Sequence, residues 1–182
     1  MTIRVCDPTA EPSVPVEPYT PVTQPRLGTV IGLCSNGFTD AVTFLRDIED
    51  EIAPTLPGVR FWHFAKPTLR HSSFPWTEEE IKTVTSECDA VIMAYGHCGS
   101  CTSAIIRDAA NIARSGTPVV SIVTTKFVDE AHFVARATGI PDLPLVVVPH
   151  PVAGRDESYQ RGIARQIAGS LLEALSTGRV IA

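Results

Sequence analysis

Two cysteines three positions apart, Cys98 and Cys101, stand in the stretch Ala94-Tyr95-Gly96-His97-Cys98-Gly99-Ser100-Cys101-Thr102-Ser103. Sulfur in this spacing can attack an electrophile, cycle between dithiol and disulfide, or ligate a soft metal. The surroundings favour the first two. Before the stretch runs Asp89-Ala90-Val91-Ile92-Met93, an apolar run bounded by a charge that reads as a buried strand. After it, Thr102-Ser103-Ala104-Ile105-Ile106 sets hydroxyl residues at the start of a helical apolar spacing. The pair is therefore expected on a turn from a strand end to a helix start near Thr102. Free N–H groups and partial positive charge at a helix start favour a thiolate, which marks Cys98 as the nucleophilic or redox sulfur. Cys101 is a resolving thiol or a small residue capping the helix, and His97 can add positive charge beside the pair. Gly96 and Gly99 let a ligand approach the backbone, and Gly99, Ser100, Thr102 and His97 are expected to line the substrate site.

The elements that must position this turn repeat along the chain. Leu27-Gly28-Thr29-Val30-Ile31-Gly32-Leu33 reads as a first buried strand, with Cys34-Ser35-Asn36-Gly37-Phe38 as its exit loop and Thr39-Asp40 capping the next helix. Val59 to Phe64 reads as a second strand nearer an edge, and Thr77-Glu78-Glu79-Glu80 as an acidic helix start. Between them lies a long polar and aromatic loop whose His71 can close over substrate. A fourth strand, Pro118 to Val123, delivers Thr124, Thr125 and Lys126 to a helix start, where they can hold an anion. A fifth, Leu145 to Val148, delivers Pro149-His150-Pro151, and a last helix runs from about Glu157 to Ser176. Strands alternating with helices predict one three-layer α/β/α domain over residues 26–182, with about five parallel strands in the flavodoxin-like order 2-1-3-4-5.

Residues 1–25 read differently. Six of the 15 prolines fall between positions 8 and 25, which disfavours helix and central strand and predicts an extended arm. Such an arm is either a loose leader or a strap on a neighbouring subunit, carried by Val14, Val16, Tyr19 and Val22. The second reading makes the chain a homo-oligomer or a partner subunit held through the arm.

With 44% hydrophobic and 19% charged residues, 182 residues suit one domain with a substantial core. A net charge of -5 without a basic cluster argues against nucleic acid, and no apolar run is long enough to span a bilayer. No signal peptide is evident at the start, and five cysteines are an odd number, so reduced thiols in the cytoplasm are expected rather than a disulfide framework. Phosphate-loop, dinucleotide and Ser-His-Asp signatures are absent from the sequence, and no cofactor is expected. A metal would need His97, Cys34 or His150 to complete the two sulfurs, so none is assigned.

In a sheet of this order, ligands bind beyond the strand ends where the order reverses, between strands one and three. That places Cys34, Ser35, Asn36 and Gly37 beside the cysteine turn, with Cys34 opposite Cys98. His150, two strand spacings or roughly 10 Å away, is an acid–base candidate.

The stretch Gly96-His97-Cys98-Gly99-Ser100-Cys101-Thr102-Ser103 resembles the signature of the UGSC-motif proteins, a bacterial family in which many members have selenocysteine at the first motif position. The likeness continues through Gly116-Thr117-Pro118-Val119-Val120, Thr124-Thr125-Lys126-Phe127-Val128 and the segment from Gly139 to Pro151. The resemblance implies that Cys98 stands where relatives have selenocysteine, and that its role is nucleophilic or redox. Two enzyme classes on a small-molecule substrate follow. In a thiol oxidoreductase, Cys98 attacks and Cys101 resolves. In a cysteine-dependent lyase, isomerase or hydrolase, Cys98 works opposite Cys34. Gly32-Leu33-Cys34-Ser35-Asn36-Gly37 and Cys101-Thr102-Ser103 resemble the strand-end motifs of the aspartate/glutamate racemase group, which use two lobes where this chain has one. A non-enzymatic partner subunit with a thiol or metal switch is the third reading.

Overall fold

The structure is a computed structural model that describes residues 14–38, 40–66 and 72–180. Alternation of apolar runs with amphipathic segments produces five strands, β1 (Val30–Ser35), β2 (Arg60–Ala65), β3 (Ala90–Gly96), β4 (Val119–Thr124) and β5 (Leu145–Val148). Five helices separate or follow them: α1 (Ala41–Ile52), α2 (Glu78–Glu87), α3 (Gly99–Arg114), α4 (Val128–Ala137) and α5 (Glu157–Thr177). All pairings are parallel, and the order is β2-β1-β3-β4-β5, as expected. β3 and β4 are buried along their whole length, as central strands covered on both faces must be.

The two faces carry two cores. Ile31, Leu33, Ile92, Ile122 and Val146 pack with Phe44, Leu45 and Ile48 of α1 and Ile163 and Leu171 of α5. Val91, Met93, Val119 and Val123 pack on the other face with Val84 of α2, Ile105 and Ile106 of α3, and Val134 of α4. This is the three-layer α/β/α arrangement. The apolar positions of α1, at Ala41, Phe44, Leu45, Ile48 and Ile52, recur at the spacing that makes one buried stripe. α2 starts with the reciprocal cap foreseen at Thr77, whose hydroxyl accepts from Glu80 N while the Glu80 carboxylate accepts from Thr77 N at 2.6 Å.

The first strand continues two residues beyond its expected end at Leu33. Cys34 pairs between Phe64 and Met93, and Ser35 between Ala65 and Ala94. What read as a loop is sheet, which changes the standing of Cys34.

The arm is engaged within its own chain. Glu17 N donates to Gly139 O at 2.7 Å and Thr23 N to Leu175 O at 2.8 Å. Tyr19 Oη accepts from Val119 N at 2.9 Å and donates to Val119 O at 3.1 Å. The Glu17 carboxylate lies 3.5 Å from Arg114 Nε. These contacts lie at the edge of the sheet where strands β4 and β5 begin, opposite the cysteine turn. Residues 1–13, with Cys6, lie outside the described residues.

The Tyr19 clamp can be tested. Tyr19→Phe removes both hydrogen bonds to Val119 and should lower the unfolding free energy by about 1–3 kcal/mol. Urea denaturation would measure this, and a midpoint equal to the parent's would show that the Tyr19 hydroxyl adds nothing to stability.

Candidate thiol site

The site is built at the carboxyl edge of the sheet, where β3 ends and α3 begins. α3 starts at Gly99, not at Thr102, because Cys98 is its N-cap. A helix start leaves N–H groups without intrahelical partners, and here the two sulfurs supply acceptors. Cys98 Sγ accepts from Cys101 N at 3.3 Å. Cys101 Sγ accepts from Cys98 N at 2.8 Å and from His97 N at 3.3 Å, and its thiol donates to Cys98 O at 3.2 Å. Where a helix usually uses Ser with Glu, this one uses two cysteines in a reciprocal cap. Gly96 has no room for a side chain, since a Cβ there would stand 2.7 Å from Thr102 Oγ1.

The two thiols differ in access. Cys101 is fully buried, while Cys98 is half-buried with Ser100 Oγ 3.7 Å from its sulfur. Burial first, then the neighbouring Cys98 sulfur, pushes the Cys101 thiol up to about 12, outweighing the two N–H groups that favour its thiolate.

The two histidines of the site are 4.6 Å apart between ring centres and do different work. His97 Nε2 accepts from Val152 N at 3.2 Å and Ala153 N at 3.3 Å, so this nitrogen carries no proton. Burial, and after it the proximity of His150, pull His97 below the usual histidine range, against an opposing pull from Asp40. His97 therefore holds the loop after β5 as a neutral ring and does not supply the positive charge expected of it. His150 Nδ1 lies 3.1 Å from Thr124 Oγ1, and that hydroxyl donates to Gly96 O at 3.2 Å. With the Thr124 proton committed to Gly96, the oxygen accepts from His150 Nδ1, so in the neutral ring the acceptor nitrogen is Nε2. Phe127, 5.7 Å away between ring centres, packs on His150.

Other expected site residues hold the framework. Ser35 Oγ accepts from Gly37 N at 3.1 Å. Asn36 is buried, donating to Tyr95 O at 3.0 Å and accepting from Phe38 N at 3.1 Å. Thr102 is buried against Gly96, and Thr124 is buried between Gly96 and His150. Gly37, Ser100, Thr125 and Lys126 are exposed at this edge, and Gly99 is half-buried. His71 lies outside the described residues.

Cys34 does not share the pocket of Cys98. It is fully buried on the α2–α3 face of the sheet, in the core that also holds Cys88, Met93 and Trp76. Its sulfur and that of Cys88 stand 3.4 and 2.8 Å from the place a Cβ would take on Gly32. Burial, with added repulsion from Cys88 and Asp108, raises the Cys34 thiol well above its ordinary range. A Cys34–Cys98 pair across a substrate is thus not formed, because the longer strand keeps Cys34 within the sheet. Cys88, which caps the end of α2, is likewise pushed up to about 12 by burial and then by Glu87 and Asp89.

Sequence reasoning missed Glu130. Its carboxylate Oε2 stands 3.1 Å from the Cβ position of Gly99, beside the cysteine turn. The available signal was an acidic pair, Asp129-Glu130, in the first turn of the helix that follows β4. Among the described residues, no three His, Cys, Asp or Glu groups gather as they would for a metal ion, and no helix is long and apolar enough to cross a membrane.

Comparison with known proteins adds two findings. The model of a family described as the UGSC family matches residues 4–177. The glycine reductase complex component B subunit gamma of Peptoclostridium acidaminophilum is 31% identical over 142 residues, covering 75% of this chain and 31% of that subunit. The chain thus spans about a third of the length of the relative it matches.

Two tests follow from the geometry. In the folded protein, iodoacetamide at pH 7–8 should label Cys98 before the other described cysteines, with Cys34, Cys88 and Cys101 reacting at least tenfold more slowly until urea exposes them. Peptide mass spectrometry gives the order, and equal labelling of Cys34 and Cys98 would contradict the burial described. The second concerns His97. Because its folded-state affinity for protons is lowered, its contribution to stability is present above about pH 6.5 and is lost as the pH falls through the folded value. His97→Gln offers a similar acceptor without a titrating group, so its urea midpoint should fall less between pH 7 and 5 than the parent's. His97→Ala should lose about 1–3 kcal/mol at pH 7.

Proposed function

The chain belongs to the UGSC family, and from that premise we propose that it is a thiol oxidoreductase subunit in which Cys98 attacks and Cys101 resolves. The observation that carries the reading is the reciprocal sulfur cap, with one thiol accessible and its partner buried at the start of the same helix. A buried second thiol is protected from outside reagents yet lies next to the first, as a resolving group should.

The proposed reaction is thiol–disulfide exchange. The Cys98 thiolate attacks one sulfur of a substrate disulfide, a new S–S bond forms, and the other substrate sulfur leaves as a thiolate that takes a proton from water. Cys101 then gives up its proton and attacks Cys98 Sγ, expelling the second substrate sulfur and closing a Cys98–Cys101 disulfide. The substrate gains two electrons and the dithiol loses two; an external dithiol restores the reduced form. His150, held through Nδ1 by Thr124, is the proposed proton acceptor for these steps, through Nε2 of its neutral ring.

The relative's name supports a reductive setting and a multi-subunit one. On this reading the chain works as one component of a reductase-type assembly, with other subunits supplying what lies in the remaining two thirds of the relative's length. The lyase or isomerase alternative loses its second sulfur with the burial of Cys34.

Oxidised glutathione tests the proposal. It should convert the parent to a Cys98–Cys101 disulfide, found as linked peptides by mass spectrometry. Cys101→Ser should instead stop at a glutathione adduct on Cys98, and Cys98→Ser should show neither product. Absence of both products from folded parent protein, with oxidised glutathione and with a neutral disulfide each in excess, would rule the reaction out.

A further inference from the structure

Glu130 has no role in the exchange chemistry, yet it lies beside the thiol turn. It is half-buried, and it makes no hydrogen bond or ion pair with another described residue. Its Oε2 and Oε1 atoms stand 3.1 and 3.6 Å from where a Cβ on Gly99 would be. Gly99 is the residue directly after Cys98 and the first of α3. A side chain at this position would press on the carboxylate and shift it by a few tenths of an ångström. Lys126, four residues before Glu130, is exposed and forms no ion pair with it. The start of α4 favours a negative charge here, and without a side-chain partner the carboxylate is available to a bound cation.

Building on the thiol-exchange reading, we propose that Glu130 is a substrate-recognition residue, and that the substrate of Cys98 carries a positively charged nitrogen close to the sulfur attacked. The carboxylate binds the ammonium or amidinium group and brings the scissile bond to Cys98. Its own negative charge repels anionic disulfides from the same sulfur.

Three small disulfides of similar size vary the charge: cystamine (cationic), bis(2-hydroxyethyl) disulfide (neutral) and 3,3′-dithiodipropionate (anionic), each rate being divided by that of a free model thiol so that leaving-group acidity cancels. In each, the Cys98 thiolate attacks one sulfur, the S–S bond breaks, and the leaving thiolate is protonated by water. A charge at roughly 5–10 Å in a partly exposed site, screened at physiological salt, should favour cystamine over the neutral probe about three- to tenfold, with the anionic probe slower again. Glu130→Gln should bring the cystamine-to-neutral ratio within about twofold of one. Glu130→Lys should invert the order. Intact-mass kinetics at Cys98 would read the rates, with far-UV circular dichroism confirming the fold of both variants. Reaction of all three probes without charge preference, or a preference unchanged in Glu130→Gln, overturns the assignment of Glu130 alone. Failure of every probe to modify Cys98 in the folded parent overturns the exchange reading and this inference with it.

Discussion

The site depends on how the first turn of α3 satisfies its backbone. Helix starts are normally capped by oxygen, which accepts N–H bonds better than sulfur does. Here Cys98 Sγ takes the N–H of Cys101, and Cys101 Sγ takes those of Cys98 and His97. Each sulfur is thus both a structural acceptor and a chemical group, and the two functions draw on the same lone pairs. Joining the sulfurs in a disulfide would change the acceptors on which three N–H groups depend. Oxidation of the pair would therefore alter the conformation of the turn.

The adjacent histidines show how the same side chain takes opposite roles a few ångströms apart. Both are placed by strand ends, β3 for His97 and β5 for His150. His97 Nε2 is filled by two backbone donors from the loop after β5, so protonating it would cost two hydrogen bonds. His150 is fixed through Nδ1 instead, by a threonine whose own proton is committed to Gly96. Fixing one nitrogen of an imidazole leaves the other its chemistry, and filling the second removes it. The residue adjacent to Cys98 in sequence is consequently a scaffold, while His150 keeps one ring nitrogen free of backbone donors among the described residues.

What could be read from the sequence follows the range of the interactions involved. Strand order, helix positions and the location of the cysteine turn depend on hydrophobic runs and local caps, and the Thr77-to-Glu80 cap spans only three residues. Cys34 was harder because a short apolar run does not show where strand pairing stops. Two further residues of β1 find partners in β2 and β3, which moves the sulfur from loop to core. The role of His97 was not legible at all, since its donors lie 55 and 56 residues later. The arm was visible through its prolines, but not its destination, because Tyr19 is fixed by a strand 100 residues away.

Asp40 shows most clearly why local rules stop at this edge. It occupies the N-cap position of α1, as expected of its type, yet its side chain makes no cap bond there. Instead, Oδ2 accepts from Gly154 N at 2.7 Å, joining the loop after β1 to the loop after β5. His97 joins the loop after β3 to that same segment, and Thr124 joins the ends of β3 and β4 to His150. The loops around the thiol turn are thus tied to one another and not only to their own helices. A cap worth about 1 kcal/mol in isolation has been given up for a contact between distant loops. Such an exchange makes sense where relative loop position matters more than the stability of one helix, and the loops concerned are those that surround Cys98.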